Sequence, residues 1–526
     1  MMSQSDGWVK PPRGPLSDAS CWPDGVILRR RETHQSHLEP AMIRGRLRAY
    51  REAYPLTEGP IGPPLVLLAM PIVITNLLQT AYNLADTFWL GRYSTDALAA
   101  ISFAFPLIFL LIALGLGIAV AGAIMIAQAT GAEDPDLAAY TASQTLSYAL
   151  LASVGFGAIG YVAVGPLIEL FGAEPQVVTL ATAYMQIIAI GLPVMFGFFV
   201  FIALLRGYGD TVTPMIVMFG TVVLNIAIDP VFIFGFVDNP LFAMTATVPI
   251  EERIYSSWAF GGLGIEGAAI ATVLSRGLAF AVGVWILASG RAGIEIQLRA
   301  MWPDPEFLRR LLRLGVPATI EETGTALSIN AMLFIVGLFP TTVIAAYGIG
   351  IRIFALVFLP AIGVARAVET MTGQSLGAGV DGRADAAAAY AARWGFLILS
   401  GFAVVTFVFA EAAIGIFTTD PAVVDVGRSF LYYVAPTFGF VGVARAYIGS
   451  FRGAGKTAIA AVLGIVILGV VRLPIAAIGA LSIGADGIWL AFTISNVLGA
   501  VLAVAWYRSG LWSPDVDVKP ASDHPG

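Results

Sequence analysis

The sequence predicts an all-α polytopic membrane protein with twelve transmembrane helices, built as two six-helix lobes with pseudo-two-fold symmetry along the membrane normal. Of its 526 residues, 58% are hydrophobic and only 12% are charged, about half the charge of a typical soluble chain. Apolar runs of more than about 18 residues, long enough to cross a bilayer as a helix, recur between residues 64 and 510. The third observation is an internal repeat, which gives the two lobes.

The predicted spans follow a polar amino-terminal tail, residues 1–60, which we expect to be cytoplasmic and largely disordered. In the first lobe, residues 61–300, the spans are 64–91, 97–130, 136–166, 175–206, 212–237 and 264–290. In the second lobe, residues 301–510, they are 306–338, 342–376, 383–417, 421–451, 457–480 and 484–508. Residues 511–526 form a second cytoplasmic tail.

Basic residues lie mainly on one side of this predicted topology. They include Arg44, Arg46, Arg48, Arg51, Arg206, Arg291, Arg299, Arg309, Arg310, Arg313, Arg383, Arg452, Lys456 and Arg508. Because cytoplasmic loops carry an excess of Lys and Arg, this side and both termini are predicted to face the cytoplasm. We therefore expect a multi-pass protein of the plasma membrane.

The repeat has an offset of 246 residues, which aligns Pro71 with Pro317, Gln128 with Gln374, and RGYGDT (206–211) with RGAGKT (452–457). Later the offset falls to 220, where GIEGAAIATVLS (264–275) matches GADGIWLAFTIS (484–495). An even number of helices separates the copies, so they share one orientation and should enclose a cavity between them. The GAGKT stretch is a helix-connecting turn, since Ser450 replaces the first glycine of a phosphate loop.

The repeat does not copy five polar residues of the first lobe. Asp86, Tyr184, Asn225, Asp229 and Thr272 align with Met332, Phe430, Val471, Ile475 and Phe492. A carboxylate in the middle of a bilayer costs at least ~2.5–3.5 kcal/mol, so such residues indicate function. Their positions along the helices place them within one slab about 6 Å thick. We predict that they form one cluster.

Two carboxylates with amide, hydroxyl and phenol oxygens suit a hard cation, so Na⁺ could bind at Asp86, Asn225, Asp229 and Thr272. They also suit a proton, because two close buried acids do not ionise together easily. The alternative is a hydrogen-bonded network that only locks the bundle. The single cysteine, Cys21, and all three histidines lie in the tails. The sequence therefore predicts no enzyme, and no cofactor beyond a coupling ion, H⁺ or Na⁺.

These residues lie in motifs through which the chain resembles the multidrug and toxic compound extrusion (MATE) family, in its prokaryotic and archaeal branch. The motifs are Pro71 with YNLADTFWLG (82–91), LRGYGDTVTP (205–214), NIAIDP (225–230), GIEGAAIAT (264–272) and FRGAGKT (451–457). The resemblance implies two lobes in a V and export of amphipathic, often cationic compounds in exchange for protons or sodium. It also implies that the five-residue cluster is a first-lobe cation site.

In the second lobe the sequence departs from some members, which carry a glutamate where this chain has Thr325, eight residues after Pro317. The sequence therefore leaves open whether the second lobe has a cation site of its own. Five charged residues share a similar inner depth and predict an ion-pair network: Glu321, Glu322, Arg366, Glu369 and Arg445. A gating role and a structural role are equally compatible with that pattern.

The leading hypothesis is a secondary active exporter working by alternating access. Its expected partners are drug-like small molecules and the lipid bilayer, with no nucleic acid, and we expect a monomer. The alternative is a flippase for lipids or lipid-linked oligosaccharides on a related fold, which should carry a strongly cationic central cavity. A membrane-embedded enzyme lacks any supporting motif, and a one-sided acid cluster fits occlusion of an ion better than an open channel.

Overall fold

A computed structural model describes residues 55–170, 172–236, 239–240 and 260–510 of the protein. The two predicted tails lie almost wholly outside the described residues. Each of the twelve predicted spans coincides with one helix or with a run of consecutive helices. The predicted all-α class is therefore confirmed.

The first half contains α1 (Gly62–Tyr93), α2 (Thr95–Gly131), α3 (Pro135–Leu170), α4 (Pro175–Ile190), α5 (Leu192–Tyr208), α6 (Val212–Phe234) and α7 (Gly264–Ala288). A 3-10 turn, Leu298–Met301, leads to α8 (Pro305–Gly337), α9 (Thr341–Gly377), α10 (Asp381–Val408), α11 (Ala410–Gly415) and α12 (Pro421–Val434). After a 3-10 turn, Ala435–Thr437, follow α13 (Phe438–Gly453), α14 (Thr457–Ile465), a π-helix (Val466–Arg472), α15 (Leu473–Ile483) and α16 (Ala485–Arg508).

Among the described residues, nine helices are long and apolar enough to cross a membrane, or ten if α4 and α5 count as one bent span. Helix α8 is not in this set, because residues such as Glu321 and Glu322 make its middle polar. Its place between the α2 and α14 surfaces nevertheless keeps it within the bundle. Polar residues on a helix held by protein neighbours are typical of a transport pathway.

Prolines explain where the helices depart from the predicted spans. The predicted fourth span is broken into α4 and α5, which meet at 57°, because Pro193 has no N–H to donate to the Ala189 carbonyl. The predicted eleventh span contains the π-helix, which ends just before Pro474. Such wide turns accommodate a proline without ending the span.

Apolar side chains form separate cores in the two halves. One large cluster runs from Met332 to Phe492, and two others lie between Tyr82 and Ile296. Helix α1 packs on α6 of its own half and on α9 of the other, while α8, its repeat counterpart, packs on α14 and on α2. Helices α1 and α8 therefore border both halves, and α1 carries Asp86.

The two halves also meet closely where α2 and α9 end, on the arginine-rich side. A Cβ atom at Gly131 would lie 2.0 Å from the main-chain oxygen of Gln374, and one at Gly377 would lie 2.0 Å from that of Gln128. These four residues are two repeat-related pairs. Glycine is needed at both positions because the backbones approach too closely for any side chain.

Candidate cation site

The structure brings the five predicted cluster residues together from four helices. Asp86 lies on α1, Tyr184 on α4, Asn225 and Asp229 on α6, and Thr272 on α7. All five side chains are buried, with at most 4% of any residue exposed. The spacing of four residues on α6 puts Asn225 and Asp229 on one face, and the Asn225 Nδ2 donates to Asp229 Oδ1 at 2.8 Å.

Asp86 and Asp229 form the centre of the cluster, since the two buried carboxyl groups are close enough to act on each other electrostatically. Thr272 donates its hydroxyl to Asp86 Oδ2 at 3.4 Å. Two ionised carboxylates only accept hydrogen bonds. Two buried carboxylates this near each other repel when both are ionised, and a proton or another cation would relieve that repulsion.

Three buried oxygens of the cluster have no hydrogen-bond partner within the described residues: Asp86 Oδ1, Asn225 Oδ1 and Asp229 Oδ2. Leaving buried polar atoms unpaired is costly, so native structures avoid it unless a ligand or water supplies the partner. Oxygen atoms of carboxylates and amides are the ligands that hard cations prefer. The residues present thus fit a small monovalent cation.

Tyr184 contributes a phenol next to the acids. It is 2% exposed, and it lies near enough to Asp86 and Asp229 to interact electrostatically with both. In the described part of the chain no hydrogen bond joins it to either acid. Tyr184 is therefore a wall of the site rather than an established ligand.

Arg276 is a residue of this site that the sequence comparison missed. It is 3% exposed, and its guanidinium lies 4.7 Å from the Tyr82 ring centroid and donates to Gln79 Oε1 at 3.2 Å. Its charge acts on Asp86. The repeat aligns Arg276 with polar Asn496, so no contrast in polarity marked it. Its position four residues after Thr272, on the same face of α7, was the available signal.

The formal charges of the site balance when one monovalent cation is bound. Asp86 and Asp229 carry two negative charges when ionised, and Arg276 supplies one positive charge. One monovalent cation makes the group neutral, whether it is a proton or Na⁺. The described residues contain no group of three or more His, Cys, Asp and Glu side chains that could hold a metal ion, so a bound Na⁺ would depend on the mixed acid, amide and hydroxyl set.

The matching positions of the second half hold no such cluster. Met332, Phe430 and Phe492 belong to one buried apolar cluster. Thr325, where a second-lobe acid could stand, donates its hydroxyl to the main-chain oxygen of Glu321 at 2.8 Å. The positions that are polar in the first half are thus apolar in the second half, as the repeat indicates.

The inner charged residues form ion pairs, with one change of partner. Arg366 contacts Glu322 and Glu369, each at 2.9 Å. Arg452, instead of the predicted Arg445, holds Glu321, with contacts of 2.6 and 3.0 Å. The sequence placed Arg452 in a turn, yet it ends α13 and points into the bundle. Arg445 lies 4.5 Å from the Phe358 ring centroid and makes no ion pair among the described residues.

Arg206, the repeat counterpart of Arg452, extends this network across the two halves. It ends α5 in the first half and interacts electrostatically with Arg366, Glu369 and Arg452. Its main-chain oxygen also accepts a hydrogen bond of 3.1 Å from Thr370 of α9. The network therefore borders the contact between the halves rather than lying deep in one of them.

Comparison with known proteins agrees with the repeat. The sequence profile of the family described as MatE matches residues 71–231 and 317–478, two matches that begin one repeat apart. The chain is 28% identical over 464 residues, 88% of its length and 98% of the other protein, to the probable multidrug resistance protein YpnP of Bacillus subtilis (strain 168). It is 25% identical over 455 residues, 85% and 94% of the two lengths, to an FAD transporter of Shewanella oneidensis.

A solved structure shares the fold. It is described as the outward-facing conformation of a multidrug resistance MATE family transporter of the MOP superfamily. It superposes with a TM-score of 0.76 and 25% identity, over 86% of this chain and 96% of that one.

Proposed function

Because the chain belongs to the MatE family of multi-pass membrane transporters, we propose that it is a secondary active exporter. It moves amphipathic compounds, cationic ones among them, out of the cytoplasm in exchange for H⁺ or Na⁺ by alternating access. As a member of a transporter family, it is not an enzyme. The observation that supports the proposed coupling is the buried pair of Asp86 and Asp229, whose carboxyl groups act on each other and whose cluster contains unpaired oxygens.

The site supports exchange because its two charge states differ strongly in energy. With a cation bound, the acid pair and Arg276 are neutral together and tolerate burial. Without it, one negative charge remains in an apolar setting, which favours an arrangement that admits water or a cationic cargo. A ligand shifts a conformational equilibrium only through such a difference between states.

Helix α1 gives the site a mechanical connection to the rest of the bundle. Asp86 lies on α1, and α1 packs on both α6 and α9, so a change around Asp86 reaches both halves. Pro71 interrupts the hydrogen-bond ladder of α1 and provides a place to bend. We propose that cation binding repacks α1 and that this movement opens one side of the bundle as it closes the other.

The proposed topology places the arginine-rich side in the cytoplasm, together with both termini. Residues 61–300 and 301–510 form the two lobes, with cytoplasmic tails at residues 1–60 and 511–526. We propose that the protein works in the plasma membrane as a monomer; both acids, Arg276 and their helices belong to one chain, so the site needs no residue from a second copy.

The test uses the purified full chain in liposomes loaded with a cationic dye such as ethidium. A pH gradient and a Na⁺ gradient are imposed separately, and dye movement is followed by fluorescence. Movement driven by one gradient, and lost in Asp86→Asn and Asp229→Asn, is the expected result. Equal movement with and without either gradient would contradict the exporter proposal. Asp96→Asn, near the start of α2 and away from the acid pair, is the matched control.

A further inference from the structure

The second half contains a chamber that the cation site does not explain. It has a volume of about 270 Å³ and lies between α8, α9, α13, the π-helix and α16. Most of its wall is apolar, and Phe354, Phe358 and Phe492 present aromatic rings to it. A concave apolar site with a few polar groups is the usual form of a small-molecule site.

Two arginines interrupt this apolar wall. Arg472, at the end of the π-helix, donates from Nε to Ser495 Oγ at 2.8 Å and from Nη2 to Asn496 Oδ1 at 2.7 Å, and its guanidinium lies 4.3 Å from the Phe492 ring centroid. All of these partners are neutral. Arg445 stacks on Phe358 at 4.5 Å, and the two arginines lie close enough to repel each other.

Neither arginine makes an ion pair with an acid among the described residues, although Glu321 and Glu322 attract Arg445 from a greater distance. The acid that lines the chamber with them is Glu321, and Arg452 already holds both of its oxygens, at 2.6 and 3.0 Å. The contrast with Arg366 and Arg452 is informative, because those arginines of the same half each contact carboxylates directly. A purely structural role would favour the same kind of pairing for Arg445 and Arg472.

We propose that this chamber binds an amphipathic anion, with its carboxylate, sulfonate or phosphate head between Arg445 and Arg472 and its apolar body against the phenylalanine rings. Guanidinium groups match such planar or tetrahedral oxyanions with paired hydrogen bonds. Aromatic side chains pack well against a flat apolar body. The first half thus offers an acidic site for the coupling cation, and the second half offers a chamber of the opposite polarity.

The chamber can bind the anion whether or not the protein is an exporter. Only the further step, that the bound anion is exported, rests on the proposed function. The test is therefore an equilibrium measurement without any gradient. The purified full chain is placed in phosphatidylcholine nanodiscs and titrated with 1-pyrenesulfonate or with 1-pyrenemethylammonium, which share one body and differ in charge. Binding is read from pyrene emission sensitised by the tryptophans of the protein.

The sulfonate is expected to bind at least about tenfold more tightly than the ammonium probe, since hydrogen bonds to a charged group contribute about 1.5–3 kcal/mol. Arg445→Gln and Arg472→Gln should each weaken sulfonate binding by about tenfold, and Arg472→Lys should weaken it less. Arg92→Gln is the matched control, since it removes an arginine that lies 4.7 Å from the Phe88 ring centroid in the other half, outside the cation site.

Adding phosphatidylglycerol to the nanodiscs distinguishes an anionic lipid headgroup from a free anion as the natural ligand. If the site takes an anionic lipid headgroup, this lipid competes with the sulfonate, and less of it copurifies with Arg472→Gln. If the site takes a free anion, the lipid does not compete. Equal binding of the two probes to the unaltered protein, or unchanged affinity in both glutamine variants, would overturn the proposal. A failure of export would appear only in the gradient experiment.

Discussion

The side-chain amide of Gln128, near the end of α2, donates to the main-chain oxygen of Gly453, 3.3 Å away in the other half of the chain. The repeat makes this bond twice, because Gln374 near the end of α9 donates to the oxygen of Gly207 at 3.0 Å. Together with the close glycines Gly131 and Gly377, these bonds join the halves on the arginine-rich side. Opening that side during transport requires both bonds to break.

We expect Gln128→Leu and Gln374→Leu each to favour the state in which this side is open. Each removes one neutral hydrogen bond, worth about 1 kcal/mol, and therefore shifts the equilibrium by about fivefold. The reporter is Ser375→Cys in a chain whose native Cys21 is replaced by Ser. Ser375 is 0% exposed and its hydroxyl has no partner among the described residues, so the cysteine should react with a maleimide only when the contact opens.

The control for this labelling experiment is Gln297→Leu, which removes an exposed glutamine side chain before the 3-10 turn. Its labelling rate at position 375 should equal that of the parent. Unchanged rates in both interface variants would mean that the two amides do not hold the halves together.

Gly131→Ala should destabilise the protein, because the new methyl group would lie 2.0 Å from the main-chain oxygen of Gln374. The main-chain oxygen cannot rotate away, so α2 and α9 must move apart to make room for the methyl group. The loss in free energy of unfolding should therefore exceed the 1–3 kcal/mol that is typical for overpacking. Thermal unfolding in detergent is the measurement. Gly155→Ala on α3, with nothing within 4 Å of its Cβ position, should be neutral or stabilising; similar losses in both variants would contradict the close-contact argument.

Asp86→Asn and Asp229→Asn should each abolish cation-driven export while leaving the protein folded. Either change removes the surplus negative charge that the cation neutralises. Because a buried charge without a full partner is itself costly, its removal should not destabilise the fold. Resistance to toxic dyes in an efflux-deficient host is expected to fall to the level of cells without the protein. Full resistance in either variant, at normal expression, would show that its carboxylate is not needed for coupling.

Arg276→Gln should make the site bind its driving cation more tightly. The guanidinium repels a cation at Asp86, and charges several Å apart interact by about 1–4 kcal/mol at an effective dielectric constant of about 20. The half-maximal concentration of the driving ion should therefore fall by about tenfold or more. Arg276→Lys, which retains the charge, should stay near the parent value, and a rise in the glutamine variant would exclude the charge argument.

The sequence could predict the acid cluster because duplication supplies an internal comparison. Asp86, Asn225, Asp229 and Thr272 stand where the second half has apolar residues, and the i,i+4 spacing on α6 already set the contact between Asn225 and Asp229. The comparison between the halves did not identify Arg276, because its counterpart, Asn496, is also polar. Its contacts with Tyr82 and Gln79 depend on how α1 packs against α7, which spacing along one helix does not determine.

The same limit applies to the inner charges and to the helix breaks. Sequence depth grouped Arg445 with Glu321, but Arg452, two turns further along the same face of α13, reaches the acid instead. The position of α13 along its axis relative to α8 decides which arginine meets Glu321, and the sequence alone does not give it. Pro193 and Pro474 were visible in the sequence. Whether each produces a bend or a π-helix depends on the surrounding packing, because neighbouring helices and side chains must satisfy the freed carbonyl groups.

The contact between Glu321 and Arg452 gives the last prediction, a double-mutant cycle. Arg452→Gln alone leaves the buried Glu321 without its ion-pair partner, which typically costs 3–5 kcal/mol. Glu321→Gln alone should cost less, because Arg452 keeps Glu322 at 3.3 Å. The double variant removes both charges and should recover much of that loss, since neutral side chains in place of a buried pair are often tolerated. The free energy of unfolding is measured for all four proteins. Glu411→Gln with Arg428→Gln, an exposed pair at 3.5 Å, is the control and should show a coupling of at most about 1 kcal/mol; a similarly small coupling for the buried pair would mean that water reaches it.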